Sequence, residues 1–279
     1  MMFRSFNAIR TVELAAWDFD NYKHRTRIPD TAKCAQAREL VLQRNLDTSA
    51  SAFCSEETNM FQEQLDEQKS RPDLQREMCG LDWSLGVIDL RRLLAFQRRL
   101  YFRSSPDPSA LPVQHDRNAL MATSFASVRP LPVEVTRDEG RETVTMQSTN
   151  PNLHLRVSKD AAAPIAVHAG SPFFEVAQYA DRWFLRDGYH RAYDLLSAGI
   201  VHLPAVIVRA RTLAELGAVG AQFFSEKILL SRHPPLVSDF LDPKLTIQYE
   251  SPSILKTLRI TMEETIVPQH VSSISGEQL

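Results

Sequence analysis

Glycine is scarce, 9 in 279 residues, so the chain has few positions where positive φ comes without steric cost, and each glycine marks a place worth inspecting. The cysteines, Cys34, Cys54 and Cys79, are odd in number and far apart. That spacing excludes a disulfide framework and a C-x-x-C metal or redox pair, leaving reduced thiols as the expectation. No window approaches the roughly 18 apolar residues that a membrane helix needs, and charges interrupt "MMFRSFNAIRTVELAAWDFD" where a signal peptide would carry its apolar core. The expectation is a cytoplasmic protein without a membrane partner. A net charge of -2 supplies no general attraction to nucleic acid, so such binding would need a local patch. The chain also lacks G-x-x-x-x-G-K-[ST], G-x-G-x-x-G, G-x-S-x-G and H-E-x-x-H, which removes support for P-loop, Rossmann, α/β-hydrolase and zincin readings. Besides His190, the histidines His24, His115, His154, His168, His202, His233 and His270 sit singly, without the paired spacing of zinc sites, so no metal ligand set is expected.

What remains is an ordinary soluble composition, 43% hydrophobic and 24% charged, sufficient for one large domain or two modest ones. Residues 1–82 are polar and read as a helical extension, with a helix expected from Thr31 to Leu46. At Trp83 the character changes. A short apolar run, Leu85 to Ile88, precedes Asp89 as N-cap of an expected helix carrying Leu90, Leu93, Leu94 and Leu100, with Arg91, Arg92, Arg98, Arg99 and the following Arg103 on its polar side. "SSPDPSALPVQ" reads as a loop. Alternation on both sides of Asp138-Glu139-Gly140 predicts a hairpin, "LHLRVS" a further strand and Ile165 to Val167 a short buried strand. "FFEVAQY" and "RWFLRD" then face each other across Ala180-Asp181. Beyond them comes strand, helix, strand, with Ala192, Leu195 and Leu196 on one helix face, Gly199 as the stop and "AVIV" as the returning strand. The strands at Trp183 to Arg186 and Ala205 to Val208 are expected to be sheet neighbours. Further on, a helix is expected from Leu213 to Leu230, a strand at "LTIQYES", a last helix at "SILKTLRITMEETI" and a frayed end at "QHVSSISGEQL". The fold class is α+β with an α/β core and a mixed sheet.

The stretch of chemical interest is Asp187-Gly188-Tyr189-His190-Arg191. A helix starting there offers N–H groups without carbonyl partners, and its dipole favours an anion at that end. Gly188 would let a ligand approach the backbone, and His190 and Arg191 would add donors, giving a phosphate or carboxylate cradle. Asp187 reads either as the N-cap or as a base or Mg²⁺ ligand. The same residues are also ordinary turn chemistry, with His190 and Asp194 as a helix-surface pair.

From about Leu85 to Arg211, "GVIDLRRLLAFQRRL" and "FLRDGYHRAYDLLSAGIVHLPAVIV" resemble the two blocks of the ParB/sulfiredoxin-like superfamily, which implies a domain over residues 83–215 with a C-terminal extension over 216–279. Sulfiredoxins write the motif Gly-Cys-His-Arg. Here position 189 is Tyr, and a phenol cannot do the work of a thiolate. Partition proteins write Gly-Glu-Arg-Arg and bind CTP through it, but no second recognition helix follows here. "DGYHR" is one substitution from the Asp-Gly-His-His-Arg of the free serine kinase branch. That resemblance implies a nucleotide or phosphorylated small molecule as ligand, phosphoryl transfer or nucleotide hydrolysis with Mg²⁺, and roles for Asp187 and the upstream Glu175 toward an acceptor. Gly188, Tyr189, His190 and Arg191 would hold phosphate, with Arg91 and Arg92 flanking and His168 at a strand end nearby. The alternative is a non-catalytic ParB-like module that binds nucleic acid or a protein through the arginine helix, with a ParB-type nuclease as a third reading.

Overall fold

The computed structural model describes residues 8–27, 30–102, 112, 116–127, 133–150, 153–157, 165–168 and 170–266. Arg103, most of the 104–114 loop and the final thirteen residues lie outside them. Along the chain the elements are β1 (Ala8–Leu14), α1 (Thr31–Leu42), β2 (Phe53–Cys54), α2 (Ser55–Met60), α3 (Gln62–Lys69), α4 (Pro72–Glu77), β3 (Trp83–Asp89), β4 (Arg99–Phe102), α5 (Arg117–Ser124), β5 (Glu134–Asp138), β6 (Thr143–Ser148), β7 (His154–Val157), β8 (Ile165–His168), β9 (Glu175–Tyr179), β10 (Arg182–Asp187), α6 (Tyr189–Ser197), β11 (His202–Arg209), α7 (Leu213–Leu216), α8 (Glu226–Leu229), β12 (Thr246–Pro252) and β13 (Lys256–Thr261). Helices and a mixed sheet make the fold α+β.

The central sheet has the order β10-β9-β11-β3-β2, with β9 and β11 parallel and the other pairs antiparallel. The strands containing Trp183 and Ala205 therefore share a sheet but are not neighbours, because β9 lies between them. The reason is the hairpin. Arg182 pairs with Tyr179 across a two-residue turn whose residues, Ala180 and Asp181, have φ of 48° and 58°, so β10 takes the outer edge and the crossover through α6 returns the chain to the inner side of β9. Phe184, Val176, Ala177 and Val206 fill the sheet's buried positions, and one apolar cluster runs from Val12 to Tyr249.

α1 buries Cys34, Ala37 and Val41, a 3–4 residue repeat, and Asp30 caps it by accepting from Ala32 N–H at 2.9 Å. The expected helix after Asp89 is absent. Asp89 does cap, accepting from Arg91 N–H at 3.0 Å, but only over a 3-10 turn at Leu90–Arg92. Leu93, Leu94, Ala95 and Phe96 are all buried, which one helical face cannot achieve, so the segment runs extended between two neighbours. Leu94 N–H bonds Trp183 O and Ala95 N–H bonds Pro235 O, each at 2.8 Å, in place of intrahelical bonds. "KTLRIT" likewise forms β13 rather than a helix, since Leu258 and Ile260 alternate with exposed residues and pair with Met146 and Val144 of β6. The helix expected over Leu213 to Leu230 is broken into α7 and α8, with Gly217 in a left-handed C-cap. Ile165, read as buried, is exposed on the two-stranded β7-β8 sheet.

A second sheet, β12-β1-β4, draws one strand from each of the segments 1–82, 83–215 and 216–279. At its centre Glu13, 1% exposed, accepts from Arg25 at 2.8 and 2.9 Å, from Arg99 at 3.0 and 3.2 Å and from the Tyr249 hydroxyl at 2.7 Å. Asp20 completes the cluster through both arginines. Arg99 is thus an interior cation, not part of a solvated helix face. Among the described residues, no helix is long and apolar enough to cross a membrane.

Candidate functional site at the start of α6

β10 ends in a bulge between Leu185 and Asp187, and the chain turns into α6 through Gly188 at φ 104°. A side chain cannot replace this hydrogen. A Cβ at Gly188 would stand 2.6 Å from Phe174 Cδ2 and 2.9 Å from Cε2, so Phe174 occupies the space that the glycine leaves. Gly188 itself is the N-cap position, and Asp187 does not cap the helix. The Asp187 carboxylate instead accepts from Ser171 N–H at 2.9 Å and lies 3.9 Å from Arg191 Nη2.

The next three residues serve mainly to lock the helix in place. Tyr189 is buried, its hydroxyl accepting from Phe96 N–H at 2.9 Å, and burial holds the phenol well above its ordinary pKa. Its hydroxyl satisfies the extended segment that replaced the expected arginine helix. Arg191 reaches three carbonyls, those of Pro172 at 2.9 Å, Phe173 at 2.7 Å and Thr123 at 3.1 Å. The guanidinium therefore staples α6 to the loop before β9 and to the end of α5, and burial pulls its pKa down. His190 is exposed and places Nε2 2.9 Å from Tyr101 O, with its ring edge-on to Phe102 at 5.2 Å. A carbonyl can only accept, so Nε2 carries the proton. Where the ring packs against Phe102, desolvation lowers the imidazole's pKa.

Two features remain for a ligand. The first is the helix end: the N–H groups of Tyr189, His190 and Arg191 precede the first helical bond, from Ala192 N–H to Gly188 O at 2.8 Å. The second is a pair of carboxylates. Glu175 stands opposite Asp187 in the β9–β10 register and is 1% exposed. One of its oxygens pairs with Arg186, whose Nε also donates to Glu215 O at 3.0 Å, while Oε1 makes no hydrogen bond of ordinary geometry among the described residues and has the Ser171 side chain as its neighbour. Burial pushes the Glu175 carboxyl up, the neighbouring Asp187 adds to the rise, and Arg186 opposes it. Two adjacent carboxylates, one of them deeply buried beside the first turn of a helix, suit a hard cation or a proton acceptor.

Arg91 and Arg92 do not join this group. Leu90 N–H bonds Val201 O at 2.8 Å, beyond the C-terminal end of α6, and Arg91 turns to Asp89 in a bidentate pair of 2.8 and 2.9 Å. Arg92 donates to Ser51 O at 3.2 Å. The flanking role expected of them fails because their 3-10 turn sits at the wrong end of the helix. His168 ends β8, its backbone paired with His154, and its side chain lies outside the described residues. Sequence reading missed Ser171, Phe174 and Arg186. Only Arg186, one residue before the motif, offered a signal, as the charged residue that ends the buried run Trp183 to Leu185. Comparison with known proteins finds no matching family model, no matching curated protein and no matching solved structure.

Proposed function

We propose that the start of α6 binds the phosphate of a nucleotide or phosphorylated small molecule, and that Asp187 and Glu175 serve phosphoryl transfer or nucleotide hydrolysis beside it. The observation that carries this reading is Glu175: an almost fully buried carboxyl set opposite a second carboxyl at a helix N-terminus. Leaving such a group in a strand costs stability, and strongly perturbed acids concentrate at functional sites. Phosphate would be met by the N–H groups of residues 189–191 and by the helix dipole. Arg191 would act as a positioning residue, because its donors hold three carbonyls.

Asp187, with 30% of its side chain exposed, is the carboxylate placed to face an acceptor or a Mg²⁺ ion carried by the nucleotide, and Glu175 lies behind it. Two carboxylate donors fit that ion's preference for oxygen. Rate enhancement of this kind comes mainly from donors fixed in advance of the reaction. The reading based on nucleic acid has less to stand on, since Arg98 and Arg99 turn inward to Phe223 O, Glu13 and Asp20.

The test is calorimetric titration of the intact chain with nucleoside di- and triphosphates, with and without Mg²⁺. Wild type is expected to bind at micromolar concentrations. Asp187→Asn should retain binding and lose turnover. Absence of binding by every nucleotide, or unchanged turnover in Asp187→Asn, contradicts the proposal.

A further inference from the structure

At the other end of α6, three potential metal ligands from distant parts of the sequence come together. Cys54 closes β2, Glu57 lies in the first turn of α2, and His202 opens β11. One ligand atom of each lies within 4.8 Å of the other two. All three side chains are half-buried, so an ion from solvent can reach them. The sheet explains the meeting. β2 pairs with β3, and β3 pairs with β11, where His202 is opposite Asp89, so a short edge strand delivers Cys54 and the first turn of α2 to the start of β11.

The spacing is informative. His202 Nδ1 and Glu57 Oε1 are 3.4 Å apart, beyond the usual range of about 2.7–3.2 Å for a hydrogen bond to nitrogen. Two ligands each about 2.1 Å from one tetrahedral ion stand about 3.4 Å from each other, which matches that separation. A thiolate at about 2.3 Å from the ion would sit roughly 3.6 Å from each partner, inside the 4.8 Å within which all three ligand atoms already lie. Charge also balances. A divalent ion held by a thiolate, a carboxylate and a neutral imidazole leaves no net charge at the site. Asp89, buried alongside, has its charge matched by Arg91 and Arg92.

We infer that Cys54, Glu57 and His202 form a binding site for a zinc-class divalent transition-metal ion, with the fourth coordination position left to water or a ligand. Sulfur and imidazole donors select such an ion over Mg²⁺ or Ca²⁺. On binding, the Cys54 thiol releases its proton to solvent as the metal–sulfur bond forms. A metal site was not legible in the sequence, because Cys54 and His202 are far apart in the chain and only Cys54 and Glu57 share a helical spacing. The metal would tie α2 to the central sheet. The site is independent of the carboxylate pair: Glu175 pairs with Val206, four residues further along β11 than His202.

The test uses the untagged full chain, stripped with a chelator and titrated with Co²⁺. One equivalent should give a thiolate-to-cobalt charge-transfer band and the strong visible absorption of a four-coordinate ion, and Zn²⁺ should displace both. Cys54→Ser should abolish the charge-transfer band, whereas Cys34→Ser and Cys79→Ser should retain it. His202→Ala and Glu57→Gln should each weaken binding by roughly tenfold or more while leaving the circular dichroism spectrum unchanged, so the inference stays testable even where Cys54→Ser fails to fold. A charge-transfer band that persists in folded Cys54→Ser, a weak six-coordinate spectrum in wild type, or binding unaltered in both His202→Ala and Glu57→Gln overturns the inference.

Discussion

Glu175 carries the highest cost among the residues of the candidate site. Its carboxyl is buried in the sheet, and its pKa rises above the ordinary value of 4.5 because of burial and the charge of Asp187. A carboxyl raised in this way binds more protons in the folded than in the unfolded state once pH exceeds the ordinary value. Stability contributed by the group is therefore full at lower pH and declines as pH rises from about 4.5 through the folded-state pKa. Glu175→Gln should remove that decline, measured as urea midpoints from about pH 4.5 to 7.5, and parallel curves for the two proteins would contradict it. Both variants leave Arg186 without its carboxylate, so Glu175→Gln should lower stability at neutral pH as well, and Glu175→Ala, which also empties the side chain's buried volume, should cost the most, about 3–5 kcal/mol. Arg191 shows why a residue type alone is weak evidence for a ligand. Its sequence context suggested a phosphate contact, and its three carbonyl partners make it a staple, so replacing it would disturb the fold together with any binding.

At the scale of elements, the β9–β10–α6–β11 unit was legible because its signals are local: an apolar run, a two-residue turn, a helix with one buried face, Gly199, then a second apolar run. Sheet order was not legible, since nothing local distinguishes β10 on the edge from β10 beside β11. Leu90 to Leu100 misled for a related reason. Its leucines fit a helical repeat, yet the intervening Ala95 and Phe96 are buried as well, and the carbonyls of Trp183 and Pro235 with the Tyr189 hydroxyl supply the acceptors that the extended form needs. The β9–β10 turn contains an improvable position. Ala180 is exposed with φ 48°, a conformation that costs a non-glycine residue roughly 1–2 kcal/mol, part of which glycine's greater chain entropy takes back. Ala180→Gly should raise stability by about 0.5–1 kcal/mol, and an unchanged or lower melting temperature would show that the turn is not strained.

For the whole molecule, partners separated by more than two hundred residues were beyond sequence reading. β1 pairs with β12 from Ala8 opposite Pro252 to Leu14 opposite Thr246, and Glu13 gathers Arg25, Arg99 and Tyr249 from three parts of the chain. Arginines that look like a solvated stripe in one dimension become interior countercharges when a distant carboxylate is brought to them. The same reasoning applies to the two candidate sites, which the sheet places at opposite ends of α6: carboxylates and the first helical N–H groups at its start, and a thiol, a carboxylate and an imidazole near its end. Phosphate recognition at the start of α6 is tested most directly by following backbone amide resonances of the full chain during titration with a Mg²⁺-nucleotide. Phosphate bound to the helix end predicts that the amides of Tyr189, His190 and Arg191 move furthest and saturate together. Saturable shifts elsewhere with those three unmoved, or no saturable shift at all, would contradict a phosphate site at the start of α6.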